Sequence, residues 1–155
     1  MAFVLMSPAF DTGATIPLRH TCSGEDLSPR LEWQGAPEAT QSFALVCSDP
    51  DAPGGTFYHW AIFDIPADQR QLAEGLYGKK PLVGGLRQAV NDFDRIGYSG
   101  PCPPRGHGIH HYHFRLFALD VAQLDFDGRA GCREMERAAR QHSLAATEII
   151  GCFER

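Results

Sequence analysis

The sequence has no excess of positive charge. Its 14 Lys and Arg stand against 19 Asp and Glu, for a formal net charge of −5. Nucleic-acid binding leans on a basic surface, so no nucleic-acid partner is expected. Broad attraction to anionic membranes is disfavoured for the same reason. Long apolar runs are also missing. The opening stretch MAFVLMSPAFDTG carries no cation, the first being Arg19, and Pro8 breaks its short apolar segment. Neither a signal peptide nor a transmembrane segment is expected. The 5 cysteines (Cys22, Cys47, Cys102, Cys132 and Cys152) are odd in number, and no two have CxxC spacing. That pattern suggests neither a zinc knuckle nor a complete disulfide framework. The expectation is free thiols, no intrachain disulfide, and a soluble protein in a reducing cytoplasm. There is no internal repeat, no low-complexity tract and no linker, so residues 1–155 are read as a single domain. GYSGP is not a GxSxG nucleophile elbow, and no catalytic residue is assigned.

Turn formers, by contrast, are abundant: 16 Gly and 11 Pro in a chain that is 43% hydrophobic. This balance favours a β-rich fold. The first forty residues are mostly turn material wrapped around a sheet. Three apolar runs follow, at 42–48, 57–65 and 110–119, and a closing run at 147–153; all read as strands. Strict alternation puts Phe57, His59, Ala61, Phe63 and Ile65 on one face, and Tyr58, Trp60 and Ile62 on the other. It puts His110, Tyr112, Phe114, Leu116 and Ala118 together. Helical spacing predicts a helix over 132–146 and a shorter one over 67–76.

Two stiff loops end at histidines. SDPDAPGG precedes His59, and GPCPPRGHGIHHYHF contains His110. Proline fixes φ and removes donors, whereas glycine lets backbone approach a ligand. An antiparallel return between the strands at 42–48 and 57–65 makes Asp49 and His59 neighbours, and His110 joins them if its strand starts at the same end. The sharp reversal predicts a cis peptide at Ala52–Pro53. Taken alone, Asp49 and Asp51 read as turn caps and His59 as a strand-end filler. Cys102 lies near the mouth of any site here and reads as an inert thiol. Strand alternation sends His111 and His113 away from His110, which disfavours a metal centre.

SDPDAPGGTFYHWAIFDIP and GYSGPCPPRGHGIHHYHFRLFALD resemble the two signature regions of the phosphatidylethanolamine-binding protein family, most closely its small bacterial, Raf-kinase-inhibitor-like branch. The flank SPAFDTGATIPLRHTCSGEDLSPRLEWQGAPE is similar to that branch as well. The resemblance implies an all-β dominated (β-rich α+β) fold, with a central antiparallel sheet packed on a smaller one and a peripheral C-terminal helix. It implies an anion pocket lined by Asp49, His59, Gly100, Pro101, His110 and Tyr112. It further implies a small-molecule binding protein for phosphate-bearing ligands, phosphoethanolamine-like or nucleotide-like, with no cofactor. Regulation of a partner protein and homodimer formation are properties of relatives, and the sequence marks no surface for either. The alternative is an enzyme using the Asp/His pocket for acid–base chemistry on a phosphoester or carbonyl substrate. Where many relatives have Arg after the second histidine, this chain has His111, which implies weaker attraction of anions. The mechanism expected is that Asp49 orients one histidine and favours its charged form. The other histidine, Tyr112 and loop N–H groups around 106–108 then hold the anion. Affinity should fall as pH rises through a value near or above about 6.5.

Overall fold

The computed structural model describes residues 1–76, 78, 82–126 and 129–155. Its strands are β1 (Val4–Met6), β2 (Leu31–Gln34), β3 (Ser42–Asp49), β4 (Phe57–Pro66), β5 (Gln71–Leu72), β6 (Arg87–Gln88), β7 (His110–Leu119) and β8 (Ser143–Phe153). Among the described residues, one α-helix, α1 (Cys132–Gln141), precedes β8, and one 3₁₀ turn covers Leu18–His20. A five-stranded antiparallel sheet runs β6-β4-β3-β7-β8, and a three-stranded one runs β1-β2-β5.

The large sheet is covered on both sides, which is why β3 and β4 are apolar on both faces. Toward the small sheet, Phe43, Leu45, Trp60, Ile62, Phe114 and Leu116 meet Leu5, Leu31, Trp33 and Leu72. Toward the helix, Ala44, Val46, Ala61, Phe63 and Phe117 meet Met135 and Ala139. Fully burying a side chain such as Phe43 or Leu116 contributes about 1.5–3 kcal/mol, so the two layers share the work of holding the central strands.

Alternation holds along β7, where Tyr112, Phe114, Leu116 and Ala118 all enter the inter-sheet core. It fails along β4, which carries two bulges. Opposite β3, the register steps from Phe43↔Ile65 to Leu45↔Ile62, and from Cys47↔Trp60 to Ser48↔Tyr58. Each step places one extra residue in β4 and reverses the facing beyond it. Ile65 therefore joins Ile62 and Trp60 toward the small sheet, while Tyr58 joins Ala61 and Phe63 toward the helix. The first bulge contains Asp64 at φ 58°. Its buried carboxylate accepts from Arg87 Nε at 2.6 Å and from the Leu124 N–H at 2.9 Å, which holds the left-handed conformation. The second bulge lets His59 meet Tyr112 edge-on, with ring centroids 5.3 Å apart.

Two helix expectations change. The helix at 132 stops at Gln141, because the next residues pair with β7 instead, as in Leu119↔Ser143 and Phe117↔Ala146. No helix forms over 67–76. Gln71 and Leu72 pair with β2, and Leu72 is buried between the sheets. The small sheet itself is drawn largely from the segment read as turns.

The cysteine expectation is overturned. Cys22 and Cys102, 80 residues apart, form a disulfide with their Cα atoms 5.4 Å apart. Local spacing could not reveal it, because tertiary packing creates the pair. The Cys22 N–H donates to Pro101 O at 3.1 Å, and the Gly100 N–H donates to Asp26 Oδ1 at 2.8 Å. These bonds seat the loop after Leu18–His20 against the loop before β7. The free cysteines are Cys47, Cys132 and Cys152. The cytoplasmic expectation rested on free thiols together with the lack of a signal-peptide pattern, and the disulfide removes the first of these supports. Among the described residues, no helix is long and apolar enough to cross a membrane.

Denatured without reductant, the protein should titrate as three thiols, and as five after reduction. Reduction should cost about 2–4 kcal/mol of stability, because a long loop is released in the unfolded chain. Thiol titration and denaturant midpoints with and without reductant check both numbers.

Candidate functional site

Asp49 ends β3, Phe57 begins β4 directly opposite it, and His110 begins β7 on the other side of β3. One end of the sheet thus gathers Asp49, His59 and His110, as the loop argument requires, together with Tyr112. Asp49 Oδ2 lies 2.7 Å from His110 Nδ1, and both side chains are buried. Asp49 Oδ1 accepts the Asp51 N–H at 2.8 Å. The same carboxylate therefore caps its turn and grips the histidine. A carboxylate can only accept, so Nδ1 of His110 carries a proton. Its other nitrogen, Nε2, lies 2.7 Å from Nδ1 of His107.

His59 is held differently. Its Nδ1 donates to the Ser99 carbonyl at 2.7 Å, which leaves Nε2 as the nitrogen available to a ligand. Burial pulls its pKa below the ordinary histidine value. The Ser99 carbonyl and the charge of Asp49 oppose that shift without cancelling it. Asp49 therefore does not turn His59 into a cation. Tyr112 Oη is fully buried and has no hydrogen-bond partner among the described residues. Burial, then the charge of Asp49, pushes the Tyr112 phenol far above its usual value, with a smaller contribution from the nearness of the Asp49 carboxylate to the hydroxyl, so it stays protonated.

These four side chains line a cavity of about 170 Å³. Its other walls are Ala52 and Pro53 from the first loop, Cys102, Pro103 and Pro104 from the second, and two phenylalanines. Phe57 and Phe93 meet edge-on at 4.7 Å between centroids and flank His59 at 5.0 and 5.6 Å. No Lys or Arg lines it among the described residues. Gly100 and Pro101 stand behind this wall rather than in it. A side chain at Gly100 would meet His20 O at 2.2 Å, so glycine is required there by backbone approach. Pro101 is buried and accepts from Cys22. Asp26, which anchors the Gly100 N–H, is held above the ordinary carboxylate value chiefly by burial.

The first loop contains no cis peptide: Ala52–Pro53 is trans. The reversal is made by Gly55 at φ 104°, whose N–H donates to Ala52 O at 3.1 Å. A positive φ at glycine turns the chain without the cis isomer. Outside the cavity, Asp51 accepts from both the backbone N–H and Nδ1 of His111, at 2.8 and 2.7 Å. The histidine hydrogen bond lowers the Asp51 pKa. Two carboxylates of one loop thus clasp two consecutive residues of β7, and His111 spends itself on that clasp. His113 faces Glu148 at 3.4 Å.

Sequence reasoning missed His107, Phe57 and Phe93 as parts of the site. His107 has a spacing signal, three residues before His110. Phe93 has none, because its loop is positioned by the buried Asn91 side chain, which accepts from the N–H groups of Phe93 and Arg95.

The family model for phosphatidylethanolamine-binding protein matches residues 6–154. The chain belongs to the phosphatidylethanolamine-binding protein family. It is 46% identical over 151 residues to the UPF0098 protein of Aquifex aeolicus, covering 97% of this chain and 88% of that one. The crystal structure of Escherichia coli YbcL superposes with a TM-score of 0.92 at 33% identity, covering 99% of this chain and 98% of the other. CT736 from Chlamydia trachomatis gives 0.87 at 31% identity, with coverage of 99% and 98%. The antiparallel two-sheet architecture with one peripheral helix is thus the fold of this family.

The lowered pKa of His59 has a consequence for stability. Unfolded, the ring takes a proton near pH 6.5, and folded it resists until lower pH. Acid therefore favours the unfolded chain, and this stability is present above about pH 6.5 and is lost as pH falls toward the folded value. His59→Gln should flatten the decline in denaturant midpoint across that window, whatever its effect on absolute stability. An unchanged slope would show that His59 is not a buried neutral group.

Proposed function

We infer that the cavity binds the anionic head of a small phosphate-bearing molecule, with the apolar part of the ligand against Phe57, Phe93 and the loop prolines. The observation that carries this reading is Tyr112 Oη, a fully buried hydroxyl beside the Asp49 carboxylate that makes no hydrogen bond of normal geometry among the described residues. An orphaned buried donor costs about 1–3 kcal/mol, and a ligand oxygen at this point recovers that cost. His59 Nε2 and His110 Nε2 supply the remaining contacts. Both rings hold their Nδ1 protons toward protein acceptors, so in the neutral state both Nε2 atoms are unprotonated acceptors, that of His110 with His107 against it. Anion binding must then bring protons onto Nε2. With no Lys or Arg in the walls among the described residues, these protons are the source of positive charge in this reading. Because burial lowers the His59 pKa, affinity should go on rising as pH falls through neutrality and level off only below about 6.5 for that residue, rather than near or above it.

Phosphoethanolamine-like and nucleotide-like compounds share this head chemistry. Gly100 and Pro101 serve it from behind, by fixing the second loop. The Asp49–His110–His107 chain is also an arrangement for moving a proton, which favours acid–base catalysis as the second reading; assay of phosphoesters and carbonyl compounds for product formation separates it from binding.

Calorimetric titration with inorganic phosphate and phosphoethanolamine, from mildly acidic to mildly basic pH, tests the reading. Affinity should rise as pH falls. His59→Ala and His110→Ala should each weaken binding by about 1.5–3 kcal/mol, the worth of a charge-assisted hydrogen bond. Asp49→Asn should also weaken it, because His110 loses the acceptor that fixes its tautomer. Tighter binding by Asp49→Asn would mean that charge repulsion governs the site. Sedimentation of the same samples distinguishes a monomer from the homodimer expected by resemblance.

A further inference from the structure

His107 is exposed, yet its imidazole hydrogen-bonds to the one nitrogen of buried His110 that faces away from Asp49, at 2.7 Å. His110 Nδ1 is committed to Asp49, so Nε2 is all that His110 can offer a ligand. In the neutral state that nitrogen is an acceptor, and the Nδ1–H of His107 satisfies it. His107 therefore occupies, from within the chain, the position that an anion's oxygen must reach. One ring nitrogen cannot serve both.

The local backbone suits a removable group. His107 lies between Gly106 at φ 74° and Gly108 at φ 91°, both in the left-handed region that glycine adopts without strain. A Cβ built at either glycine would meet nothing within 4 Å, so the segment stands clear of the body. Its base is firm: the Gly106 N–H donates to Arg155 O at 3.0 Å, and Arg155 Nε donates to Pro103 O at 2.8 Å. The His107 N–H donates to Pro104 O at 3.2 Å, so the imidazole leaves by rotation of its exposed side chain while Pro103 and Pro104 keep the cavity wall in place.

We propose that His107 is a displaceable cap on His110, holding the ligand's hydrogen-bonding position in the empty site and leaving it when an anion binds. This inference rests on the reading of the cavity as an anion site and adds a competing group to it. The cap makes the empty site less costly, since it keeps His110 Nε2 satisfied, and it sets a threshold that a weakly accepting ligand fails to cross. It therefore selects for strong acceptors such as phosphate oxygens over water or neutral carbonyls.

The test is titration of the wild type, His107→Ala and His110→Ala with inorganic phosphate at mildly acidic pH, joined to long-range ¹H–¹⁵N spectra of the histidine side chains. His107 is exposed, so His107→Ala should fold, and a thermal melt verifies it. Removing a competing hydrogen bond should tighten phosphate binding about three- to tenfold. In the wild type, saturating phosphate should move the His107 ring nitrogens to the shifts of an unrestrained imidazole. Unchanged or weaker binding by His107→Ala, with His110→Ala still impaired, overturns the cap and leaves the anion reading standing. His107 nitrogens that do not move on saturation also overturn it. If His110→Ala binds as tightly as the wild type, the anion does not sit at His110, and both the reading and the cap fail.

Discussion

The buried Asp49–His110 pair is the constraint on which the site depends. A carboxylate taken out of water is costly unless it is paired and hydrogen-bonded, and Asp49 has both His110 Nδ1 and the Asp51 N–H. Because the pair joins the end of β3 to the start of β7, it fixes where two stiff loops begin. The exposed Asp51–His111 contact repeats the connection one step outward. From these two contacts follow the tautomer of His110, the direction of its Nε2 and the position of the second loop. The disulfide and the Asp26–Gly100 bond hold that loop from behind.

On the proposed reading, binding of an anion here is a problem in proton placement rather than in fixed charge. Arg and Lys are absent from the walls among the described residues, and Asp49 contributes a negative charge. His59 is neutral under ordinary conditions because burial outweighs its favourable neighbours. On that reading the site is quiet toward anions until protons arrive with them; meanwhile His107 satisfies His110 Nε2, while His59 Nε2 and Tyr112 Oη are left for a ligand. The apolar walls sharpen every such hydrogen bond by excluding water.

Much of this was legible in the residues. The Gly/Pro loops and the strand runs bracket the meeting of Asp49, His59 and His110, and β7 has the bounds that its alternation implies. What escaped was long-range. The first β4 bulge depends on Asp64 finding Arg87 and Leu124, partners far along the chain. The Cys22–Cys102 bond depends on two loops 80 residues apart. The end of α1 was decided by β7, whose pairing outweighed the helical tendency of residues 143–146. The trans bond at Pro53 shows a glycine doing what proline was expected to do. The small sheet was hidden because strands as short as β1 and β5 have too few residues to display a period.

The most direct test of the account is the number of protons taken up when an anion binds. Dimethyl phosphate is a suitable probe, since it is a monoanion that does not titrate near neutrality. Its binding enthalpy measured in buffers of differing ionisation enthalpy gives that number. The account predicts net uptake near neutral pH, shrinking as pH falls through the histidine range and reduced in His59→Gln. Binding with no proton uptake at any pH would contradict it, because the positive charge would then have to come from somewhere other than these histidines.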